Sequence, residues 1–285
     1  MIRQKSFDND RPTLYVVATP IGNLDEMTPR AVEILENVDV IAAEDTRNTL
    51  KLLSHFHIKT RLISHHQHNE TQSTNGLLDL LEKGNDIALV SDAGYPLISD
   101  PGGVAAKKIM DAGFNVVPVS GCNAMLDALV GSGLNTQHFM VYGFLQSSEK
   151  GRTSELCDLK YFPYTMVFYE APHRIEKCLR TMLEVFGDRQ ICLARELTKK
   201  HEEFIRGTIE EVLEIVDDLK GEMVIVVEGS QDIKDDREDA AVPLVHEQIK
   251  QYIDGGLTTN EAIKRVAKER GLSRNDVYKE YHELS

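Results

Sequence analysis

The chain has 285 residues, 41% apolar and 27% charged, with no tryptophan and a formal net charge of −14. That length allows two compact domains or one large one, and the charge excludes a protein that coats nucleic acid indiscriminately, though not one with a local basic face. No apolar run approaches the ~20 residues of a bilayer span, the opening MIRQKSFDNDRP has no apolar signal core, and the scattered cysteines form no CxxC pair that would suggest zinc or a disulfide framework. A cytoplasmic protein is expected, with Cys157, Cys178 and Cys192 as small buried hydrophobes.

Residues 12–124 alternate between two periodicities. Strand-like runs occupy 14–18, 38–43, 61–64, 87–91 and 115–119. Between them, Thr28-Pro29 supplies an N-cap and a first-turn proline leading into RAVEILEN. GLLDLLEKG stops at Gly84 and PGGVAAKKIMDAG at Gly113, with Asp100 placed to cap the latter. Such β/α alternation predicts a largely parallel sheet with ligand loops at the strand C-termini. A second α/β block follows, with strands at 139–144, 165–170, 190–196, 203–206 and 223–227 and helices at 149–159, 173–186 and 209–219.

The acidic, apolar-poor stretch 231–242 is expected to be a linker. Beyond it, Leu244, Val245, Ile249, Tyr252 and Ile253, then Ala262, Ile263, Val266 and Ala267, fall at helical spacing. Gly271 as a turn and Ser273 as a cap complete a helix-turn-helix-like pattern. Its seven basic and seven acidic residues leave open whether it binds nucleic acid or only packs. The expected organisation is a tail (1–11), a first α/β domain (12–124), a second (125–230), the linker and a helical module (243–285).

Three loops stand out: ATPIGN (18–23), SDAGYPLISDPGG (91–103) and VSGCNA (119–124). Each follows a strand-like run and is built from Gly, Pro, Asn, Asp and Ser, so backbone N–H and C=O groups line whatever sits there. The first lacks both GK[ST] and GxGxxG, which disfavours a nucleoside triphosphate or a dinucleotide. Asp92 and Asp100 offer a carboxylate pair, although helix capping by Asp100 is the simpler use. His65, His66 and His68 lack helical ligand spacing, and a solvated loop is preferred there to a metal site. Charged groups cluster at three further strand ends: AEDTRNT (Glu44, Asp45, Arg47), FYEAPHR (Glu170, His173, Arg174) and RELTKKHEE (Arg195, Glu196, Lys199, Lys200). With Lys51, Lys150 and Arg152, their basic members would form an anion-binding face if they converge.

In this order and spacing, ATPIGNL, AEDTR, SDAGYPLISDPG, FYEAPHR and RELTKKHEE resemble the bacterial rRNA cytidine-2′-O-methyltransferase branch of the tetrapyrrole methylase family. The resemblance runs from about Leu14 to the end. It implies two α/β domains of tetrapyrrole-methylase type with S-adenosylmethionine (SAM) in the cleft between them, plus the helical module. Pro20, Ile21, Gly22 and Asn23 stand where other members carry GxGxGD. Gly94-Tyr95-Pro96, followed by Leu97 and Ile98, matches the family's GDP turn. Residues 120–124 match its PGxxA turn, with Ser120 and Asn123 departing from the usual residues. The implied cofactor contacts are Pro20, Ile21, Gly22, Asn23, Asp92, Gly94, Tyr95, Ile98, Asn123, Ala124, Tyr169 and Met223, with no metal. The implied reaction is methylation of the 2′-hydroxyl of cytidine 1402 of 16S rRNA within the 30S subunit, by a cytoplasmic homodimer.

A ribose hydroxyl is a poor nucleophile at neutral pH, so a base, or a cation stabilising the developing alkoxide, would help. Glu170 or His173 is expected to take the proton, assisted by Arg47. Arg47, Arg174, Lys199 and Lys200 are expected to hold RNA. Two other readings compete: a small-molecule methyltransferase acting on a tetrapyrrole, and a non-enzymatic nucleic-acid-binding regulator.

Overall fold

The computed structural model describes all residues except 1, 2, 7, 66–69, 99–102, 233–244, 271, 284 and 285. His66, His68, Asp100, Leu244, Gly271 and most of the expected acidic linker therefore lie outside the described residues. The chain divides into two compact units, Met1–Gln231 and Asp232–Ser285.

The first unit opens with a parallel sheet. Its elements are β1 (Thr13–Val17), α1 (Pro29–Asn37), β2 (Val40–Ala43), α2 (Thr46–His55), β3 (Arg61–Ser64), α3 (Glu70–Glu82), β4 (Ile87–Val90), α4 (Gly103–Asp111) and β5 (Asn115–Val119). The strand order is β3-β2-β4-β1-β5, with every pairing parallel. Leu14, Val16, Ile87 and Leu89 face one side and pack on Leu77, Leu81, Ala105 and Ile109 of α3 and α4. Val17, Ala88 and Val90 face the other, against Ala31, Leu35 and Leu53 of α1 and α2. Both faces are covered, which is why these strands are apolar throughout rather than alternating. Helix α2, which buries Thr49 and Leu53, is absent from the sequence expectation.

The second sheet follows α5 (Ala124–Ser132) and contains β6 (Phe139–Phe144), α6 (Glu149–Leu159), β7 (Thr165–Glu170), α7 (Ile175–Phe186), β8 (Gln190–Arg195), β9 (Glu203–Thr208), α8 (Ile209–Leu213) and β10 (Met223–Val227). Its order is β6-β7-β10-β8-β9. Only β6 and β7 run parallel; β10 is antiparallel to both its neighbours, and β9 to β8. Where one helix was expected over 209–219, α8 stops at Leu213 and a separate 3₁₀ turn covers Val216–Asp218. A further 3₁₀ turn, Pro172–Arg174, precedes α7.

Helix α5 follows the first sheet in sequence but packs on the second. Met125, Ala128 and Leu129 meet Val167, Cys192, Ala194, Val224 and Val226, and Ile21 of the first loop joins the same cluster. Gly131 is required here, since a side chain would strike the Phe204 ring. The nearly all-apolar AMLDALVGS has no amphipathic stripe, so its helix was not legible from periodicity.

Two expectations are corrected in this layer. Cys178 and Cys192 are buried, but Cys157 is exposed. Helix α6 turns Arg152 and Leu156 inward, which leaves the next residue on the outer face. Arg152 is consequently no part of an anion-binding surface. It is 4% exposed and donates through Nε to Thr181 Oγ1 at 2.9 Å.

The second unit comprises α9 (Val245–Asp254), α10 (Thr259–Arg270) and α11 (Arg274–Glu283) around Val245, Ile249, Ala262, Ile263, Val266, Ala267 and Val277. Gly256, at φ +95°, makes the turn between the first two helices. Ser273 caps α11, accepting from Asp276 N at 3.2 Å. Among the described residues, no helix is long and apolar enough to cross a membrane.

Candidate active site

Strands β4, β1 and β5 are neighbours and parallel, so the loops after them emerge side by side at one sheet edge. Backbone bonds knit them together. Thr19 N donates to Gly94 O, and Gly94 N to Thr19 O, each at 2.9 Å. Gly121 N donates to Tyr95 Oη at 3.3 Å, and a side chain on Gly121 would lie 2.9 Å from Ala18 Cβ. Gly94 sits at φ +75°, in left-handed space that glycine enters freely.

These loops form one wall of a cavity of about 390 Å³, and the second sheet forms the other. Of the residues that the resemblance implies for the cofactor, Ile21, Gly94, Tyr95, Ile98, Asn123, Ala124, Tyr169 and Met223 line it. Pro20, Gly22, Asn23 and Asp92 do not. Asn23 instead caps a 3₁₀ turn, accepting from Asp25 N at 3.1 Å, and Asp92 accepts from Asn48 Nδ2 at 2.9 Å outside this cavity. The sequence did not single out Phe144, Leu197, Glu222 or Val224, which also line it. The Phe144 and Tyr169 rings lie tilted against each other, centroids 5.3 Å apart, across the β6–β7 pair, a neighbour relation that only strand register creates. Asn123 caps α5 through Oδ1, which accepts from Met125 N at 3.1 Å and Leu126 N at 3.2 Å, so the first turn of that helix borders the cavity.

Several cations of the charged motifs are engaged within the fold. Glu170 also lines the cavity, yet its side chain is only 1% exposed. Its Oε1 accepts from Ala171 N at 2.9 Å and pairs with Arg174 Nε at 3.2 Å. Arg174 spends Nη2 on the carbonyls of Leu145 (2.9 Å) and Gln146 (3.2 Å). This guanidinium braces the turn after β7 rather than reaching into solvent. Cys178 lies close by; burial first, then the Glu170 carboxylate, push its thiol far above the ordinary range. His173, between the cavity residue Pro172 and Arg174, is exposed. Lys200 is exposed as well, whereas Lys199 Nζ pairs with Glu196 at 3.2 Å and Glu222 at 3.0 Å.

Arg47 is 86% exposed and pairs with Asp45, the N-cap of α2, at 2.7 Å. The hydrogen bond from the Arg47 side chain, more than any other cause, holds the Asp45 carboxyl down at about 2. A depressed acid stabilises the fold above its unfolded value, near 3.9, and that contribution disappears as pH falls through about 2. NMR titration is expected to find the Asp45 carboxyl at about 2 and to find it raised towards the usual aspartate range in Arg47→Ala.

Residues 13–213 match the family model for tetrapyrrole (corrin/porphyrin) methylases. The chain belongs to the tetrapyrrole methylase family. It is a methyltransferase. A protein of Bacillus subtilis (strain 168) named ribosomal RNA small subunit methyltransferase I is 48% identical, with 98% of each chain covered. One of the same name from Halalkalibacterium halodurans is 44% identical, with 99% of this chain and 100% of that one covered. Among solved structures, a uroporphyrin-III C-methyltransferase from Thermus thermophilus superposes with a TM-score of 0.55 at 22% identity, covering 76% of this chain and 94% of its own. A cobalt precorrin-4 methyltransferase gives 0.59 at 15%, with the same coverage. At such identities these two likenesses show the methylase fold alone.

In this methylase, the segment 196–199 straps one sheet to the other. The Lys199 methylenes lie against Gly22, where a side chain would collide with them. Burial pulls the Lys199 ammonium down, but bonds to Glu222 and Glu196 outweigh it and hold the group above the ordinary lysine value. The strap is strained, since Glu196 (φ +50°) and the β-branched Thr198 (φ +66°) both occupy left-handed space. Cys122, in the third loop, is not a poised nucleophile. Burial and Glu26 raise its thiol, and a nucleophilic cysteine needs the reverse.

Proposed function

We propose that the chain is a SAM-dependent 2′-O-methyltransferase acting on the ribose of cytidine 1402 in 16S rRNA of the small ribosomal subunit. The extent of similarity carries this reading. The family model ends at residue 213, whereas the relatives named for small-subunit rRNA methylation match over nearly the whole chain, the three-helix unit included. A tetrapyrrole substrate would leave that unit without a use.

The cavity suits the cofactor on several counts. Its volume falls in the range of small-molecule sites. Gly94 brings bare backbone to its wall, and Ile21, Leu197, Met223 and Val224 offer an apolar surface for an adenine. Bound there, SAM would supply an electrophilic methyl group already activated by its sulfonium. The chain's own work is alignment and proton removal. His173, exposed beside the cavity residues Ala171 and Pro172, takes the proton from the ribose hydroxyl. Glu170 and Arg174 hold the turn that carries it. Arg47 and Lys200, both exposed, hold RNA phosphates. Lys199 contributes as part of the strap.

The helical unit adds nucleic-acid contact in this reading, and the protein works as a cytoplasmic homodimer. Exposed Leu126, Val130, Phe139, Val141 and Phe144, on α5 and the edge strand β6, give the second copy an apolar surface to cover. Methyl-labelled SAM incubated with 30S subunits lacking the modification, beside naked 16S rRNA, is expected to label the ribose at the target. Label on neither overturns the reading.

A further inference from the structure

A second cavity, of about 260 Å³, is built from the same two loops. Pro20 and Asp92 line it, while their chain neighbours Ile21 and Ala93 line the first, so the Thr19–Gly94 backbone pair stands between the two. Helix α2 adds Asn48, Thr49, Lys51 and Leu52, and Leu24 completes the lining. The volume is below that of a site for a whole small-molecule ligand and suits a single planar group.

We propose that this cavity seats the target cytosine base, with Asp92 accepting from its exocyclic amine. The inference rests on the rRNA reading above and adds the determinant of base choice. Asn48 Nδ2 donates to Asp92 Oδ2 at 2.9 Å, and both residues line this cavity, so the bond holds the carboxylate there while its second oxygen keeps acceptor capacity. Cytosine presents an amine to such acceptors, and an aspartate is a natural partner for it. Uracil presents a carbonyl at that position, which would oppose a carboxylate. Pro20 and Leu52 provide apolar surface for the ring, and the Lys51 ammonium can donate to the ring's acceptor edge. Arg47 lies one turn before Lys51 on the same helix face, where phosphates on either side of the base would pass. A base seated here places its ribose at the Thr19–Gly94 pair, beside the cofactor cavity.

The test uses unmodified 30S subunits carrying cytidine or uridine at the target position. Asp92→Asn is expected to lower kcat/KM on cytidine by about 5- to 100-fold and to shrink the cytidine-to-uridine ratio by a similar factor. Its SAM affinity by calorimetry and its thermal unfolding should match the parent. Asn48→Ala, which frees the carboxylate, is expected to move the same ratio in the same direction by less. An unchanged ratio in both variants overturns the base seat. A fall in SAM affinity instead assigns Asp92 to the cofactor and overturns it too. Should the parent itself label neither substrate, the rRNA reading has failed, and that outcome is visible without any variant.

Discussion

Glu170→Gln is expected to unfold with about 2–4 kcal/mol less stability than the parent, measured by chemical denaturation. The substitution keeps shape and an acceptor for Ala171 N but removes the charge opposite Arg174. The carboxylate is almost wholly buried, so little solvent screens the pair, and the guanidinium left behind has neutral acceptors, the amide oxygen and the Leu145 and Gln146 carbonyls, but no counter-charge there. Removing one partner of such a pair costs more than the pair itself contributes. The same variant separates two roles. If Glu170 braces the turn, protein kept folded at low temperature retains methyl transfer with SAM saturating, whereas His173→Ala loses about 10²–10⁴-fold in kcat. Normal stability with abolished turnover in Glu170→Gln would make Glu170 the base.

Gly94→Val is expected to weaken SAM binding by about 10- to 100-fold, from roughly 1–3 kcal/mol of backbone strain. Two effects combine. A β-branched residue at φ +75° is strongly disfavoured, and relaxing it breaks the reciprocal bonds with Thr19 that hold the first two loops together. Its side chain would also begin 3.5 Å from Ile21 Cγ2, narrowing the cavity. Gly94→Ala, with the same backbone demand and less bulk, should fall between. Calorimetric titration with SAM measures both; parental affinity in the valine variant would mean these loops are not the cofactor's wall.

The separation between what the chain order specifies and what folding adds is visible at particular residues. Continuous apolar runs such as Ile87–Val90 announce doubly covered strands, because a strand with helices on both faces has no polar side to show. Gly, Pro and Asn between such runs announce loops whose backbone is exposed to a ligand, and the motif order names the family. Cavity residues such as Ile21, Gly94 and Asn123 were legible for that reason. Phe144 and Leu197 were not, since no local pattern marks an apolar residue as cavity wall rather than core.

Charge is where sequence alone went furthest astray. Arg152, Arg174 and Lys199 have the composition of an RNA-binding face, yet they end on Thr181, on Glu170 with two carbonyls, and on Glu196 with Glu222. A side chain's capacity to donate is local information, but its partner is set by which distant strands and helices come to lie beside it. Strand direction behaves likewise: β-branched runs mark the second sheet's strands, while their mixed orientation depends on the connections between them. By itself, then, the sequence determined the strands, most of the helices, the loops that border the cavity and the family, all of which are written in short-range pattern. Only the tertiary structure decided which cations are spent on the fold and which cavity Asp92 faces, because both depend on contacts between residues far apart in the chain.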